Sequence, residues 1–225
     1  MKIISDIRLF KSESQNEYGV YITESFSDKM LNAILKRIVM KLRENQFSLG
    51  EFDHLYINLT TCEIAEKMNL SKEVDRYHPW FRYCNIHVEK ELYHKLGAPE
   101  TWNEILLSVQ KALITYFTSD VFDATRILSC VQQAVEQGES MLMKFKEKTT
   151  AKRKAVIFLR FLDVCKYAPL LRVYDLEENL LFEKDLPQDI ALDYLGEMQV
   201  SAKRVTIKPR KNAFAAQQQS LVFDY

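Results

Sequence analysis

Asp53-His54-Leu55-Tyr56-Ile57-Asn58-Leu59-Thr60-Thr61 is an unbroken alternation. Leu55, Ile57 and Leu59 point one way, and His54, Tyr56, Asn58 and Thr60 the other. This two-residue period predicts a strand with one face buried. Downstream, Phe81 to Val88 repeats the pattern, with Cys84, Ile86 and Val88 on one side and Tyr83, Asn85 and His87 on the other. The connection between the two runs is long for a compact domain, at roughly twenty residues. Cys62 to Met68 within it suits a short helix.

Upstream, Ser27 and Asp28 are placed to start a helix, one capping free amides and the other favouring the positive end of the dipole. Leu31, Ile34, Leu35, Ile38, Val39 and Leu42 then recur at spacings of three and four. They predict a long N-terminal helix over Ser27 to Gln46, apolar on one face. Lys2 to Phe10 and Tyr18 to Thr23 read as a hairpin ahead of it. Residues 1–97 are thus expected to form a ββαββ region, an antiparallel sheet with a helix across one face.

Residues 98–150 read as a helical pair. Pro99 suits a helix start, and Thr101-x-x-Glu104 has capping-box spacing. Leu106, Val109, Leu113 and Phe117 continue an apolar face. A second helix from Asp120 aligns Ile127, Leu128, Val131, Val135, Leu142 and Phe145, with Gly138 as a bend or interruption. Residues 151–225 return to strands: Arg153 to Phe161, a hairpin of Leu171 to Leu176 with Leu180 to Asp185, and Val200 to Lys208. A short helix at Gln188 to Leu195 is closed by Gly196. Pro209 to Tyr225 reads as a loose tail in which Leu221 to Phe223 could pair at an edge. The class is α+β, in these three regions or in one continuous domain.

The chain has 225 residues, 47% hydrophobic and 28% charged, with a formal net charge of zero. That composition is too apolar for disorder and lacks the basic excess of a general nucleic-acid or anionic-membrane binder. Charges interrupt the N-terminus too early for a signal peptide, and Arg160 breaks the densest apolar run, Ala155 to Leu162. The four cysteines are scattered with no CxxC pair, as reduced core thiols are. The expectation is a cytoplasmic protein without a membrane span.

No familiar chemistry assembles. His87-x-Glu89 matches half of a zinc deaminase signature, but the Pro-Cys-x-x-Cys half is absent, so no metal set is expected. Glycine cradles of the GxGxxG and GxxxxGK[ST] kinds are missing, as is a GxSxG elbow, so no cofactor is expected. Cys84 and His87 fall on opposite faces of one strand. An enzyme would have to draw on scattered groups such as His54, His87 and nearby carboxylates, converging in a pocket.

Charge is unevenly spread. Lys144 to Arg172 holds nine basic residues against two acidic, a balance of +7, and Val173 to Val200 holds eight acidic against one basic, a balance of −7. Either the two blocks neutralise each other across the fold, or Glu177, Glu178, Glu183, Asp185, Asp189 and Asp193 form a patch that docks a basic partner. The basic run Lys144 to Lys154 could hold phosphates, but without interleaved aromatics it has no means of stacking bases. Tyr77-His78-Pro79-Trp80-Phe81 also has two readings. Tyr77 and Trp80 are either interface anchors or cover for a sheet edge.

Phe47 to Thr61 (FSLGEFDHLYINLTT) and Lys166 to Glu183 (KYAPLLRVYDLEENLLFE) are similar to stretches of immunity proteins from bacterial polymorphic-toxin systems. Those are small cytosolic α/β proteins, each of which binds and blocks one cognate toxin. The resemblance implies a non-enzymatic inhibitor whose partner is a toxin domain, and it assigns no functional residue.

Overall fold

Strand β1 (Asp6–Ser12) is flanked on its two sides by different kinds of neighbour. In the computed structural model, which describes residues 2–13, 24–25, 28–162, 166–187, 194–213, 215 and 217–225, it pairs antiparallel with the two-residue β2 (Glu24–Ser25). The hairpin partner expected at Tyr18 to Thr23 lies outside the described residues. Helix α1 (Lys29–Glu44) follows, and then β3 (His54–Thr60), which returns parallel to β1 with Arg8 opposite Tyr56. A 3₁₀ turn at Ala65–Lys67 and strand β4 (Met68–Leu70) stand where a short helix was expected. Strand β5 (Phe81–His87) runs parallel to β3, with β4 antiparallel on its far edge.

The first sheet therefore has the order β2-β1-β3-β5-β4 and is mixed, which corrects the antiparallel expectation. Alternation reports which face a residue takes, not the direction of the neighbouring strand. It also understated burial. Leu55, Ile57 and Leu59 are buried, but so are Tyr56, Asn58 and Thr60, because β3 is the central strand of a parallel trio.

Helix α1 is 16 residues long, shorter than expected. Its cap is Asp28, whose Oδ1 accepts from the amides of Met30 (2.9 Å) and Leu31 (3.0 Å), while Ser27 lies outside the described residues. Asp28 Oδ2 also accepts from Trp102 Nε1 at 3.1 Å, tying the starts of two helices together. The short α2 (Lys90–Lys95) precedes α3 (Trp102–Phe117) and α4 (Ala124–Gln137). The capping box does not form, since the Thr101 hydroxyl donates backward to the Ala98 carbonyl at 2.7 Å. Asp123, not Asp120, caps α4 by accepting from the Arg126 amide at 2.9 Å. Gly138, at φ +50°, ends α4, so Leu142 and Phe145 do not continue it. Helix α4 packs against both α1 and α3.

The chain divides into two compact units, the first ending at Gly138 and the second opening at Glu139, and the helical pair lies in the first unit. The second unit opens with a strand that helical spacing had hidden, β6 (Met143–Thr149). It pairs with β7 (Lys154–Phe161), β8 (Tyr167–Tyr174) and β9 (Leu180–Asp185) in one antiparallel sheet of order β6-β7-β8-β9. The β8–β9 hairpin turns on Asp175, whose Oδ1 accepts from the Glu177 and Asn179 amides.

A second antiparallel sheet holds β10 (Leu195–Val200), β11 (Arg204–Pro209) and β12 (Leu221–Asp224). Residues 188–193 of the expected helix lie outside the described residues, and Leu195 and Gly196 belong to β10. Val200 to Lys208 is a hairpin arm and turn rather than one strand, and β12 pairs with β11 within the expected tail. Ala155, Ile157, Leu171 and Val173 from the first of these sheets share a core with Leu195, Met198, Val205 and Ile207 from the other. The unit is a small β-sandwich. The chain as a whole is α+β.

Candidate functional site

The acidic and basic blocks meet within one sheet. Arg172 Nε donates to Glu183 Oε2 at 2.6 Å, Lys154 Nζ lies 2.7 Å from Glu178 Oε1, and Arg160 pairs with Asp185. The antiparallel β8–β9 hairpin makes Arg172 and Glu183 direct cross-strand neighbours. Arg160 on β7 reaches Asp185 on β9 past the intervening β8, and Lys154 on β7 reaches Glu178 in the hairpin turn. Glu177 is exposed at the turn, while Asp189 and Asp193 lie outside the described residues. The basic run is likewise divided. Lys144 pairs with Glu147 at 3.2 Å, and Lys146 Nζ reaches the carbonyls of Leu195 (2.7 Å) and Gly196.

Tyr77 and Trp80 belong to the first unit, in the loop joining β4 to β5. Asp75 organises that loop. Its Oδ1 accepts from the amides of Tyr77 (2.9 Å) and His78 (2.7 Å), and its Oδ2 from the Tyr83 hydroxyl (3.1 Å). Burial pushes the Asp75 carboxyl upward, but those three donors outweigh it and hold it below the ordinary carboxylate range. Burial, then the hydrogen bond its hydroxyl donates to Asp75, then the Asp75 charge raise the Tyr83 phenol.

Both ends of the loop are fixed as well. The Ser71 amide donates to the Tyr83 carbonyl at 2.9 Å, and the Arg82 guanidinium donates to the Ser71 carbonyl at 2.6 Å. Arg82 also lies over the Phe52 ring at 3.6 Å. At the other end the amides of Asp53 and His54 both donate to the Trp80 carbonyl.

The loop presents aromatic surface on this fixed frame. Tyr77 is 79% exposed, Val74 52% and Trp80 37%. The His78, Trp80 and Phe81 rings touch one another (centroids 5.4 Å for His78–Trp80, 4.7 Å for His78–Phe81 and 5.8 Å for Trp80–Phe81), and Phe81 packs on Tyr56 (4.5 Å). Trp80 is thus the partly exposed member of an aromatic cluster that Phe81 joins to Tyr56 of β3. Tyr77 stands largely in water.

The histidines do not converge. Parallel register sets His54 beside Phe81 and Thr60 beside His87, so the two are six positions apart along the strands, about 20 Å. His54 Nδ1 contacts Asp53 Oδ1 at 2.6 Å. His87 Nδ1 donates to the Cys62 carbonyl at 2.9 Å, leaving Nε2 at 3.7 Å from Glu89. Cys84 is fully buried and its thiol is pushed up to about 12 by desolvation, far from a nucleophile's range. Among the described residues no group of three or more His, Cys, Asp or Glu is arranged to hold a metal, and no helix is long and apolar enough to cross a membrane.

Sequence reading missed two features. One is the organising role of Asp75, which no periodicity marks. The other is an amide ladder across three strands, in which Asn58 Nδ2 donates to Asn85 Oδ1 (3.0 Å) and Asn85 Nδ2 to Asn69 Oδ1 (2.9 Å). Asn58 Oδ1 is left buried without a partner. Comparison with known proteins found no matching family model, no similar curated protein and no similar solved structure.

Proposed function

We propose that this is a non-catalytic binding protein of the cytoplasm that captures one protein partner, a toxin domain, through the loop Val74–Trp80. The observation that supports this reading is the Asp75-held loop with Tyr77 largely in water. An exposed aromatic gains little in the free protein. It contributes most when a partner desolvates it, and a backbone fixed beforehand lowers the ordering cost of association. Tyrosine and tryptophan also carry large contact area on few rotatable bonds. The acidic block adds little long-range steering, because Glu178, Glu183 and Asp185 each have a basic neighbour within the fold. The choice of a toxin as partner rests on the resemblance of residues 47–61 and 166–183 to immunity proteins.

The test begins with the neighbouring gene. A neighbour encoding a large secreted protein with a toxic C-terminal domain is expected, and co-expression of this chain should cancel its lethality. Affinity should fall by about 100-fold or more for Tyr77→Ala and Trp80→Ala combined, restoring toxicity. A toxic neighbour left fully active by the wild-type chain overturns the reading. So does a tight complex indifferent to both substitutions.

A further inference from the structure

In the first unit a concavity opens where α1 and α3 end and α4 begins. Its volume is about 520 Å³, within the range of small-molecule sites. Leu49, Phe117 and Phe122, all buried, give it an apolar lining, to which Val121 adds a side chain 71% exposed. The turn between α3 and α4 is fixed there. Ser119 and Phe122 exchange backbone hydrogen bonds (3.0 and 3.1 Å), and the Phe122 ring packs edge-on against the buried Phe47 at 4.8 Å.

Arg126 is the only charged residue among the described residues lining this concavity. Its guanidinium lies over the Phe122 ring, 4.6 Å from the centroid, and donates to the Val121 carbonyl. Further N–H groups of its fork are left over, and no carboxylate among the described residues pairs with it. Asp123, the nearest acid in sequence, caps α4 instead, its Oδ1 accepting from the Arg126 amide. A planar cation held in place without a counter-ion, beside apolar surface, matches a carboxylate on an apolar body.

The other polar side chains limit that ligand to one negative charge. Asn45 Nδ2 donates to the Lys41 carbonyl and Gln46 Nε2 to that of Arg43, while the Ser48 and Thr118 hydroxyls donate to the carbonyls of Lys2 and Ile114. Each uses a donor inside the fold, which leaves mainly acceptor oxygens facing a ligand. Asn45, Gln46 and Thr118 also stand at the C-terminal ends of α1 and α3, where the helix dipole is negative. Anionic charge is therefore favoured at Arg126 and disfavoured along the rest of the lining.

We propose that this concavity binds a small monocarboxylate with a compact apolar body, its carboxylate on the Arg126 fork and its apolar end against Leu49, Phe117 and Phe122. The site shares no residue with the Val74–Trp80 loop and needs no protein partner.

The test uses the full chain with phenylpropanoate, with phenylpropanol as its neutral counterpart and adipate as a dianion. In nitrogen–proton correlation spectra the monocarboxylate should shift the amides of the lining residues, with a dissociation constant of about 1 mM or tighter. The alcohol and the dianion should each bind about 10-fold more weakly or worse. Arg126→Met keeps an apolar stem over Phe122. It should weaken the acid by about 10-fold or more, leave the alcohol's affinity unchanged and preserve the rest of the spectrum, and Arg126→Lys should recover part of the loss. A spectrum that the acid leaves unmoved at about 10 mM overturns the proposal. So do shifts scattered outside the lining, or acid and alcohol bound equally with Arg126→Met indifferent to both.

Discussion

Arg172 on β8 and Glu183 on β9 stand directly opposite each other, guanidinium Nε to carboxylate at 2.6 Å, where two oppositely charged blocks of sequence are folded together. The pair shows why a balance of +7 followed by one of −7 need not produce a dipolar surface. In an antiparallel meander, residues far apart in each block become nearest neighbours, and the field beyond a Debye length largely cancels.

The pair should nonetheless add little to stability. The Arg172 and Glu183 side chains are 29% and 44% exposed, so water screens much of their attraction. Glu183→Gln is expected to lower the unfolding free energy by about 1 kcal/mol at most. The loss should shrink at high salt in urea titrations. Charge exchange, Arg172→Glu with Glu183→Arg, should recover most of it. A loss of several kcal/mol would instead mark the pair as shielded from solvent.

Asp75 should set the order of the aromatic loop in a pH-dependent way. Its carboxyl is depressed in the fold, so the unfolded loop takes up a proton first as pH falls. The stabilisation is complete above the ordinary carboxylate pKa and disappears as pH drops through the folded value. Exchange of the Tyr77 and His78 amides should accelerate over that interval. Asp75→Ala should show fast exchange at every pH and cost about 1–2 kcal/mol, the worth of its lost hydrogen bonds. Amides in the variant that exchange as slowly as wild type would remove Asp75 from its organising role.

Much of this architecture was legible where one periodicity dominates. The alternation in β3 and β5 and the three-and-four spacing of Leu31, Leu35, Ile38 and Leu42 each report a buried face. Strand direction is invisible to that signal, and so the parallel pairing of Arg8, Tyr56 and Tyr83 went unseen. Strand β6 was hidden for a different reason. Leu142 and Phe145 fall at helical spacing from Val135, and only the positive φ of Gly138 breaks the helix before them. Tyr77 and Trp80 were visible as residues, but not the carboxylate that holds their loop, because a loop carries no period to read.

The amide ladder yields an ordered pair of effects. Asn85 makes two of its hydrogen bonds, donating to Asn69 and accepting from Asn58, whereas Asn58 makes one and leaves its carbonyl oxygen orphaned. Asn85→Ala should therefore destabilise the chain by about 1 kcal/mol more than Asn58→Ala in urea melts. Equal losses would mean that the ladder does not stabilise the sheet through these bonds.

Gly196 is required by close approach rather than by its dihedral angles. A Cβ there would sit 2.6 Å from the Lys208 carbonyl oxygen and 2.7 Å from that of Pro209, both backbone atoms of the adjacent strand. Neither can rotate away as a side chain would. Gly196→Ala should cost about 1–3 kcal/mol, as overpacking does elsewhere, and lower the melting temperature. An unchanged melting temperature would show that β10 and β11 can part without loss.

Thiol reactivity should separate the cysteines by burial. Cys84 is fully buried and its thiol is raised to about 12, and Cys130 is raised by the same desolvation. Cys62 is partly exposed at the surface. In a Cys165→Ser background, a disulfide reagent near pH 8 should label Cys62 quickly and the other two only as the chain unfolds, since the thiolate is the reactive form. The sign of the linkage follows. A thiol whose folded pKa lies above its unfolded value contributes stability that is complete below the unfolded pKa of about 9. That contribution is lost as pH rises toward the folded value of about 12. Cys84→Ala should therefore flatten the alkaline limb of the stability profile. Rapid labelling of Cys84 in the native chain would contradict both its burial and the raised thiol.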